Sequence, residues 1–335
     1  MTAWPDSPGQ GETEDSGHSI RHSREMSIVT RFAPSPTGRL HLGHAFSALL
    51  AYDFARRRDG AFLLRIEDID PGRSRPEHVA SIVEDLAWLG IEWDGEILFQ
   101  SKRLPDYAEA LERLRRAGLV YPCFCTRSAI AAEIAASAAA PHGPDGPLYP
   151  GTCRTLPPDE RERRMMSEAH AWRLDMGAAL ASLLPGEGRG PVADSELGPG
   201  LRRGASALYW YDGDTEVQAE PQAFGDVVLG RKDAPVSYHL AVTVDDCAQG
   251  VTDVVRGRDL FAATDVHRLL QALLGLTTPR YHHHPLLLGA DGRRLAKRDG
   301  APTLSELRRS GADPKALAAR LLTGEMPYGY SAGDP

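Results

Sequence analysis

An α/β fold around a doubly wound parallel sheet is the architecture this sequence predicts. Three observations carry it. Short apolar runs alternate with helix-period segments through the first 120 residues. The same alternation resumes after about residue 221. A polar loop rich in proline and glycine joins the first apolar run to the first helix.

Each element has its own signal. "SIVTRFAPSP" begins as a short strand and breaks at Pro34 and Pro36. A helix pattern follows from about Gly43 to Arg58, with Ala45, Leu49, Leu50 and Phe54 on one face, and Asp59-Gly60 ends it. "AFLLRIEDID" reads as a buried strand with polar residues at its carboxyl end. "SRPEHVASIVEDLAWLG" is a helix: Ser74 and Glu77 have capping-box spacing, Pro76 sits in the first turn and Gly90 stops it. "KRLPDYAEALERLRRAG" is another helix with a glycine stop. Residues 27–120 thus form the first half of the main domain.

From 121 to 220 the pattern changes. Cysteines appear, then an Ala-rich helix ("AIAAEIAASAAA"), a Pro/Gly loop, and a Gly/Ala/Pro-rich stretch at 177–206 expected to be a mobile loop. This region reads as an insertion. The second half of the main domain spans 221–325. There "FGDVVLGRK", "VSYHLAVTVDD" and "VTDVVRG" are strand-like, and "TDVHRLLQALLGL" is a helix with Gly275 near its end. "YHHHPLLLG" is a strand, "DGRRLAKRDG" is a basic loop, and short helices close the chain. Residues 326–335 are expected to be a tail.

The totals exclude several classes. The chain has 335 residues, 42% hydrophobic and 25% charged, with a formal net charge of −8. A DNA-coating protein would be basic, so any nucleic-acid contact must use a local patch. No apolar run approaches the ~20 residues of a membrane span, and no membrane partner is expected. Residues 1–26 lack the apolar core of a signal peptide and read as a disordered tail. Four cysteines, three in one region, do not form a secreted disulfide framework. These readings place the protein in the cytoplasm, as a monomer.

"RFAPSPTGRLHLGH", from Arg31 to His44, carries the chemistry. A loop that leaves a strand and enters a helix offers unpaired N–H groups and a partial positive charge to phosphate. Gly38 and Gly43 let a base or phosphate approach the backbone, and His41 and His44 can donate to phosphate oxygens. "APSPTG" followed by "HLGH" resembles the HIGH signature of class I aminoacyl-tRNA synthetases. With "RIEDID" it is similar to the glutamyl and glutaminyl branch. "RLAKR" (Arg294 to Arg298) resembles the second signature, KMSKS, with Lys297 in the lysine position nearest the phosphates. Arg294, Ala296 and Arg298 depart from that pattern.

The resemblance runs from about Thr30 to about Thr303. It implies a Rossmann-type, HIGH-class nucleotide-binding domain with an inserted zinc-binding α+β subdomain that meets the acceptor. It further implies activation of glutamate by ATP with Mg2+. His41, His44 and Lys297 would be catalytic, and Gly38, His41, Gly43, His44 and Lys297 would bind ATP. Lys297 would neutralise the leaving pyrophosphate. Glutamate needs cations for its side chain and an anion for its amino group. Arginine binds carboxylate in a fork, which suits Arg31 and Arg256. Glu67 lies at the carboxyl end of its strand, where open α/β sheets place ligands. In the family the matching acid holds the amino group, and Tyr238 matches a substrate-contacting tyrosine. Phe32, Ala33, Pro34 and Ser35 complete the implied glutamate site.

Cys123, Cys125 and Cys153 suggest one structural zinc, which is usually four-coordinate. His142 and His170 are ordinary candidates for the fourth ligand; comparison with the family favours Tyr149, which with Cys153 makes "Y-x-x-x-C". Cys247 is expected in the core. The run His282 to His284 is not read as a metal site, because neighbours on a strand point to opposite faces.

The acceptor follows from what comes after Lys297: 38 residues (335 − 297), below the size of a usual domain. A catalytic unit without an anticodon reader, carrying the C-x-C…Y-x-x-x-C insert, resembles the glutamyl-Q tRNA(Asp) synthetase family. That family transfers glutamate to the cyclopentene-diol ring of queuosine in tRNA(Asp). Alternatives are a truncated glutamyl-tRNA synthetase charging the tRNA 3′ end, a HIGH-type enzyme adenylating a small metabolite, and a non-catalytic RNA-binding paralogue.

Overall fold

The computed structural model describes residues 27–136, 142–184, 207–289, 302–327 and 330–334. The expected N-terminal tail, most of the 177–206 loop, and the basic loop with Lys297 lie outside the described residues.

Strand β1 (Val29–Phe32) leads through the Pro/Gly loop to helix α1 (Leu42–Arg56), which returns to β2 (Ala61–Ile66). β1 and β2 pair in parallel, Val29 opposite Ala61. Such a crossover needs a helix, and α1 supplies it with buried Ala45, Phe46, Ala48 and Leu49. Gly60 makes the return tight. A Cβ there would meet the Ile28 carbonyl oxygen at 2.6 Å. Helix α2 (Pro76–Trp88) follows, then β3 (Leu98–Phe99), parallel to β2. The expected Ser74–Glu77 capping box does not form. Arg75 occupies the N-cap, with no side-chain cap. A residue before proline is pushed to extended backbone, so Pro76 makes Arg75 the N-cap, one residue beyond Ser74.

Helix α3 (Leu104–Arg116) leads to β4 (Val120–Cys123), α4 (Arg127–Ala136), a small hairpin of β5 (His142–Gly143) and β6 (Gly146–Pro147), and α5 (Pro158–Ser167). β7 (Ala171–Leu174) is antiparallel to β4. Helix α6 (Met176–Leu183) comes next, capped by Asp175 accepting from the Ala178 N–H at 3.0 Å. It occupies the start of the stretch expected to be a loop, because that cap and the buried Met176 and Ala179 hold it.

β8 (Tyr209–Asp212) and β9 (Thr215–Gln218) form a hairpin, and β10 (Val228–Gly230) joins β7 on its other edge. Helix α7 (Tyr238–Ala248) corrects the strand expected in "VSYHLAVTVDD". Its Leu240, Ala241, Val242, Thr243, Asp245 and Asp246 are all buried. A helix buried on most of its circumference shows no amphipathic period, and β-branched residues then imitate a strand.

β11 (Asp253–Gly257), helix α8 (Ala263–Leu274) and β12 (Arg280–His284) form a second parallel crossover. β8 lies parallel on the far side of β12, so the order is β11-β12-β8-β9. The Thr252 N–H donates to the Val29 carbonyl at 2.9 Å and its hydroxyl accepts from the Val29 N–H at 2.9 Å, tying β1 to the start of β11. "YHHHPLLLG" splits at Pro285, which cannot donate to a ladder, into β12 and β13 (Leu286–Leu288). After α9 (Leu304–Arg309) and α10 (Pro314–Thr323), β14 (Ser331–Gly333) pairs antiparallel with β13. Part of the expected tail is therefore a strand, its backbone bonds met by β13. Among the described residues no helix is long and apolar enough to cross a membrane.

Candidate active site

The loop after β1 is held against the carboxyl end of β2. The Glu67 N–H donates to the Pro34 carbonyl and the Arg75 N–H to the Pro36 carbonyl, both at 3.1 Å. Beside it opens a cavity of about 890 Å³. Arg31 through Ser35, Gly38, His41, Gly43, His44, Glu67, Tyr238 and Arg256 all line it. Residues more than 200 positions apart in the sequence thus share one wall. Lys297 is outside the described residues.

At the start of α1, "HLGH" is a helix cap built from two histidines. His41 takes the N-cap in extended backbone, and its Nδ1 accepts from the Gly43 N–H at 3.1 Å. His44 Nδ1 accepts from the His41 N–H at 3.2 Å. An imidazole nitrogen that accepts carries no hydrogen, so each Nε2 is the donor. The rings lie against each other, centroids 3.9 Å apart and tilted by 47°. Gly43 permits the fold-over, since a Cβ there would sit 3.0 Å from the His41 ring. The result is a cluster of N–H donors at a positive helix end, suited to an anion.

The charged side of the cavity is a buried network. Asp246 accepts from Arg31 Nε at 3.0 Å and Nη2 at 3.4 Å, and from Arg65 Nη1 at 2.8 Å. Arg65 Nη2 lies 3.6 Å from Glu67 Oε1. Burial works to raise the Asp246 carboxyl, but the two guanidiniums outweigh it and hold it below its usual range. For Glu67 burial wins, pushing it up to about 7 despite Arg65 and Arg31. Arg256 bonds to neither Asp246 nor Asp253; Asp253 pairs with His282 at 2.7 Å. Its nearest partners are Thr264 Oγ1 at 2.6 Å, the Leu260 carbonyl and His283 Nε2 at 3.1 Å, and more distantly Tyr238 Oη at 3.5 Å.

Sequence reasoning missed Arg65 and Asp246. One signal existed for Arg65: it stands two residues before Glu67 on a strand, hence on the same face. Asp246 was masked by reading α7 as a strand. The three histidines 282 to 284 go to three different partners, Asp253, Asp212 and Ser47.

Away from the cavity, the sulfurs of Cys123, Cys125 and Cys153 lie within 4.8 Å of one another. Cys125 and Cys153 are 3.5 Å apart, close to the ~3.7 Å edge of a tetrahedron with 2.3 Å zinc–sulfur arms. Tyr149 Oη completes the group at 3.4 Å from Cys123 and 3.5 Å from Cys125. His142 and His170 are not part of it. Burial raises Cys125 to about 11 and pushes the Tyr149 phenol up. Cys153 is lowered; burial opposes this, but hydrogen bonds from Tyr149 and the Phe124 N–H prevail. A buried set of soft donors is costly to ionise, and a divalent metal would offset that cost. Cys247 is half-buried on α7, apart from this group.

Comparison with known proteins gives consistent matches. The family described as class I tRNA synthetases (E and Q), catalytic domain, matches residues 27–179 and 210–328. The glutamyl-Q tRNA(Asp) synthetase of Rhodobacter capsulatus is 50% identical over 290 residues, covering 86% of this chain and 97% of that protein. The protein of the same name from Deinococcus radiodurans is 45% identical, covering 88% of each. Among solved structures, the glutamate-tRNA synthetase of Elizabethkingia anophelis superposes with a TM-score of 0.70 at 26% identity. The match covers 89% of this chain and 61% of that longer one.

Proposed function

The chain belongs to the class I tRNA synthetases of the E and Q type, and within them to the glutamyl-Q tRNA(Asp) synthetases; from that premise we propose that it activates L-glutamate with ATP and transfers the glutamyl group to the queuosine diol of tRNA(Asp). The observation that carries the activation step is the shared cavity. Arg31, Glu67, Tyr238 and Arg256 gather in it beside the histidine-capped start of α1. The acceptor is taken from the relatives that carry that name at 40–50% identity.

In this reading Arg31 and Arg256 take the substrate's side-chain carboxylate and Glu67 takes its ammonium group, with Tyr238 closing the pocket. That leaves the α-carboxylate directed at the α-phosphorus of ATP. Its oxygen forms the new P–O bond as the bond to the β-phosphate oxygen breaks and pyrophosphate leaves. Positioning and charge neutralisation drive the step. The Nε2 donors of His41 and His44 and the N–H groups at the start of α1 hold phosphate oxygens, with Gly38 and Gly43 giving close approach. Lys297 neutralises the departing pyrophosphate. Magnesium bound with ATP would shield phosphate charge. A hydroxyl of the queuosine diol then attacks the acyl carbon and AMP leaves. Cys123, Cys125, Cys153 and Tyr149 would hold one zinc ion, which would cross-link β4 to the segment before α5.

The test maps radiolabelled glutamate on queuosine-containing tRNA(Asp) after nuclease digestion. Label on the queuosine nucleoside is expected. Label on the 3′-terminal adenosine would instead favour the charging reaction of the glutamate-tRNA synthetases that the fold resembles.

A further inference from the structure

The two arginines of the pocket are held in opposite ways. Arg31 is gripped by the Asp246 carboxylate, which it shares with Arg65. Arg256 is only 5% exposed, and among the described residues no carboxylate lies within ion-pair distance of it. Its guanidinium is instead surrounded by neutral acceptors. Nε donates to His283 Nε2 at 3.1 Å. One terminal nitrogen donates to Thr264 Oγ1 at 2.6 Å and to the Leu260 carbonyl at 3.1 Å. The other faces His267 Nδ1 at 3.4 Å and Tyr238 Oη at 3.5 Å.

The hydrogen bonds fix the state of both rings. His283 Nε2 accepts from the guanidinium, so Nδ1 holds the hydrogen and donates to Asp212 Oδ1 at 3.0 Å. His267 Nδ1 likewise accepts, and Nε2 donates to His239 Nδ1 at 3.2 Å. Burial, reinforced by the charge of Arg256, lowers His283 to about 4 and His267 well below the normal histidine range. Both are neutral at physiological pH. Asp212 reaches the guanidinium only through the His283 ring.

A buried guanidinium whose acceptors are all uncharged is oriented but keeps its full charge, an arrangement that costs free energy until an anion arrives. We propose that His283, His267 and Thr264 are positioning residues that aim Arg256 without neutralising it, so that Arg256 requires a carboxylate and rejects the uncharged amide of glutamine. The inference rests on the cavity being the glutamate site. Asp246 offsets part of the charge of Arg31, so Arg31 contributes chiefly hydrogen-bond geometry. Arg256 contributes the charge difference on which discrimination depends.

The test is a matched pair. Thr264→Asp places a carboxylate where the hydroxyl now meets Arg256, at nearly the same volume and in the first turn of α8, where an acid is tolerated. Thr264→Asn has the same shape without charge. Pyrophosphate exchange is measured with glutamate and with glutamine, along with the KM for ATP. The aspartate variant is expected to lose about tenfold or more in kcat/KM for glutamate and to narrow the glutamate-to-glutamine ratio by a similar factor. The asparagine variant keeps the ratio near wild type, and the KM for ATP is unchanged in both. An unchanged ratio in Thr264→Asp, or an equal loss in both variants, overturns the proposal. If the pair does not fold, His283→Glu against His283→Gln puts the same question at Nε, with the same two outcomes deciding. Wild-type enzyme that shows no glutamate-dependent exchange would remove the glutamate site itself, which separates failure of the premise from failure of the inference.

Discussion

At the scale of single residues, the pocket sets charge against burial, and the balance differs from group to group. Asp246 has two guanidiniums within hydrogen-bond reach and stays ionised. Glu67 has one at 3.6 Å and is pushed up to about 7. The sign follows directly. Below that value the free enzyme carries a protonated, uncharged Glu67, which no longer attracts an ammonium group. The value of kcat/KM for glutamate should therefore fall as pH drops through 7, approaching tenfold per pH unit. The KM for ATP should hold steady. Glu67→Gln should give a low, flat profile for glutamate. Pyrophosphate exchange from pH 5.5 to 8 checks this, and an equal pH dependence for both substrates would remove Glu67 from the amino-group site. Arg31, Glu67 and Arg256 are legible in the sequence because each stands in a short motif beside a strand end. Arg65 is not legible, because its role depends on Asp246, 181 positions away, and no local pattern records such a pairing.

At the scale of elements, the start of α1 has two separable duties. His41 caps the helix through Gly43, and the same ring lines the cavity. Loss of an N-cap typically costs about 1 kcal/mol, and asparagine is a good replacement cap. His41→Ala is therefore expected to lower both thermal stability and adenylate formation. His41→Asn should restore most of the stability and little of the activity. Melting temperature read beside pyrophosphate exchange separates the two, and recovery of activity with the cap would mean that His41 acts only as a structural residue. Sequence patterns located α1 because the proline- and glycine-rich loop before it and Asp59-Gly60 after it bracket the run. They failed for α7, whose buried residues wrap most of the helix. They also failed for β14, a three-residue strand whose existence depends on its partner β13. The predicted cap at Ser74 was displaced by a single proline. For α7 and β14 the packing neighbours supplied information that the local stretch lacks, whereas the proline that moved the cap stood in the stretch itself.

At the scale of the molecule, apolar burial is divided. One core joins α1, β2, α2 and the C-terminal helices; a second joins α3, α7, α8 and β8. The buried ion network links them at the cavity, through Arg31 and Arg65 on one side and Asp246 on the other. The cysteine region has its own small cluster of Tyr121, Cys123, Phe124, Cys153 and Ala171. Five buried residues, with Cys125, Tyr149, Leu156, Met165 and Val228 half-buried against them, make only a small core, so a zinc cross-link among Cys123, Cys125, Tyr149 and Cys153 would add order to α5 and its surroundings. β4 connects the regions, with Val120 in the second core and Cys123 in the small cluster. Metal removal should therefore loosen the outer end of β4 and β7 and leave both large cores, and the cavity between them, intact. Chelation under denaturant-free conditions is expected to release about one zinc per chain. Transfer of glutamate to tRNA should then fall by tenfold or more, while glutamate-dependent pyrophosphate exchange changes by less than about threefold. Tyr149→Phe should show a milder form of the same split, since three thiolates remain. Equal loss of both activities would mean that the cysteine region supports the catalytic cores themselves. Unchanged transfer by zinc-free enzyme would mean that the region takes no part in holding the acceptor RNA.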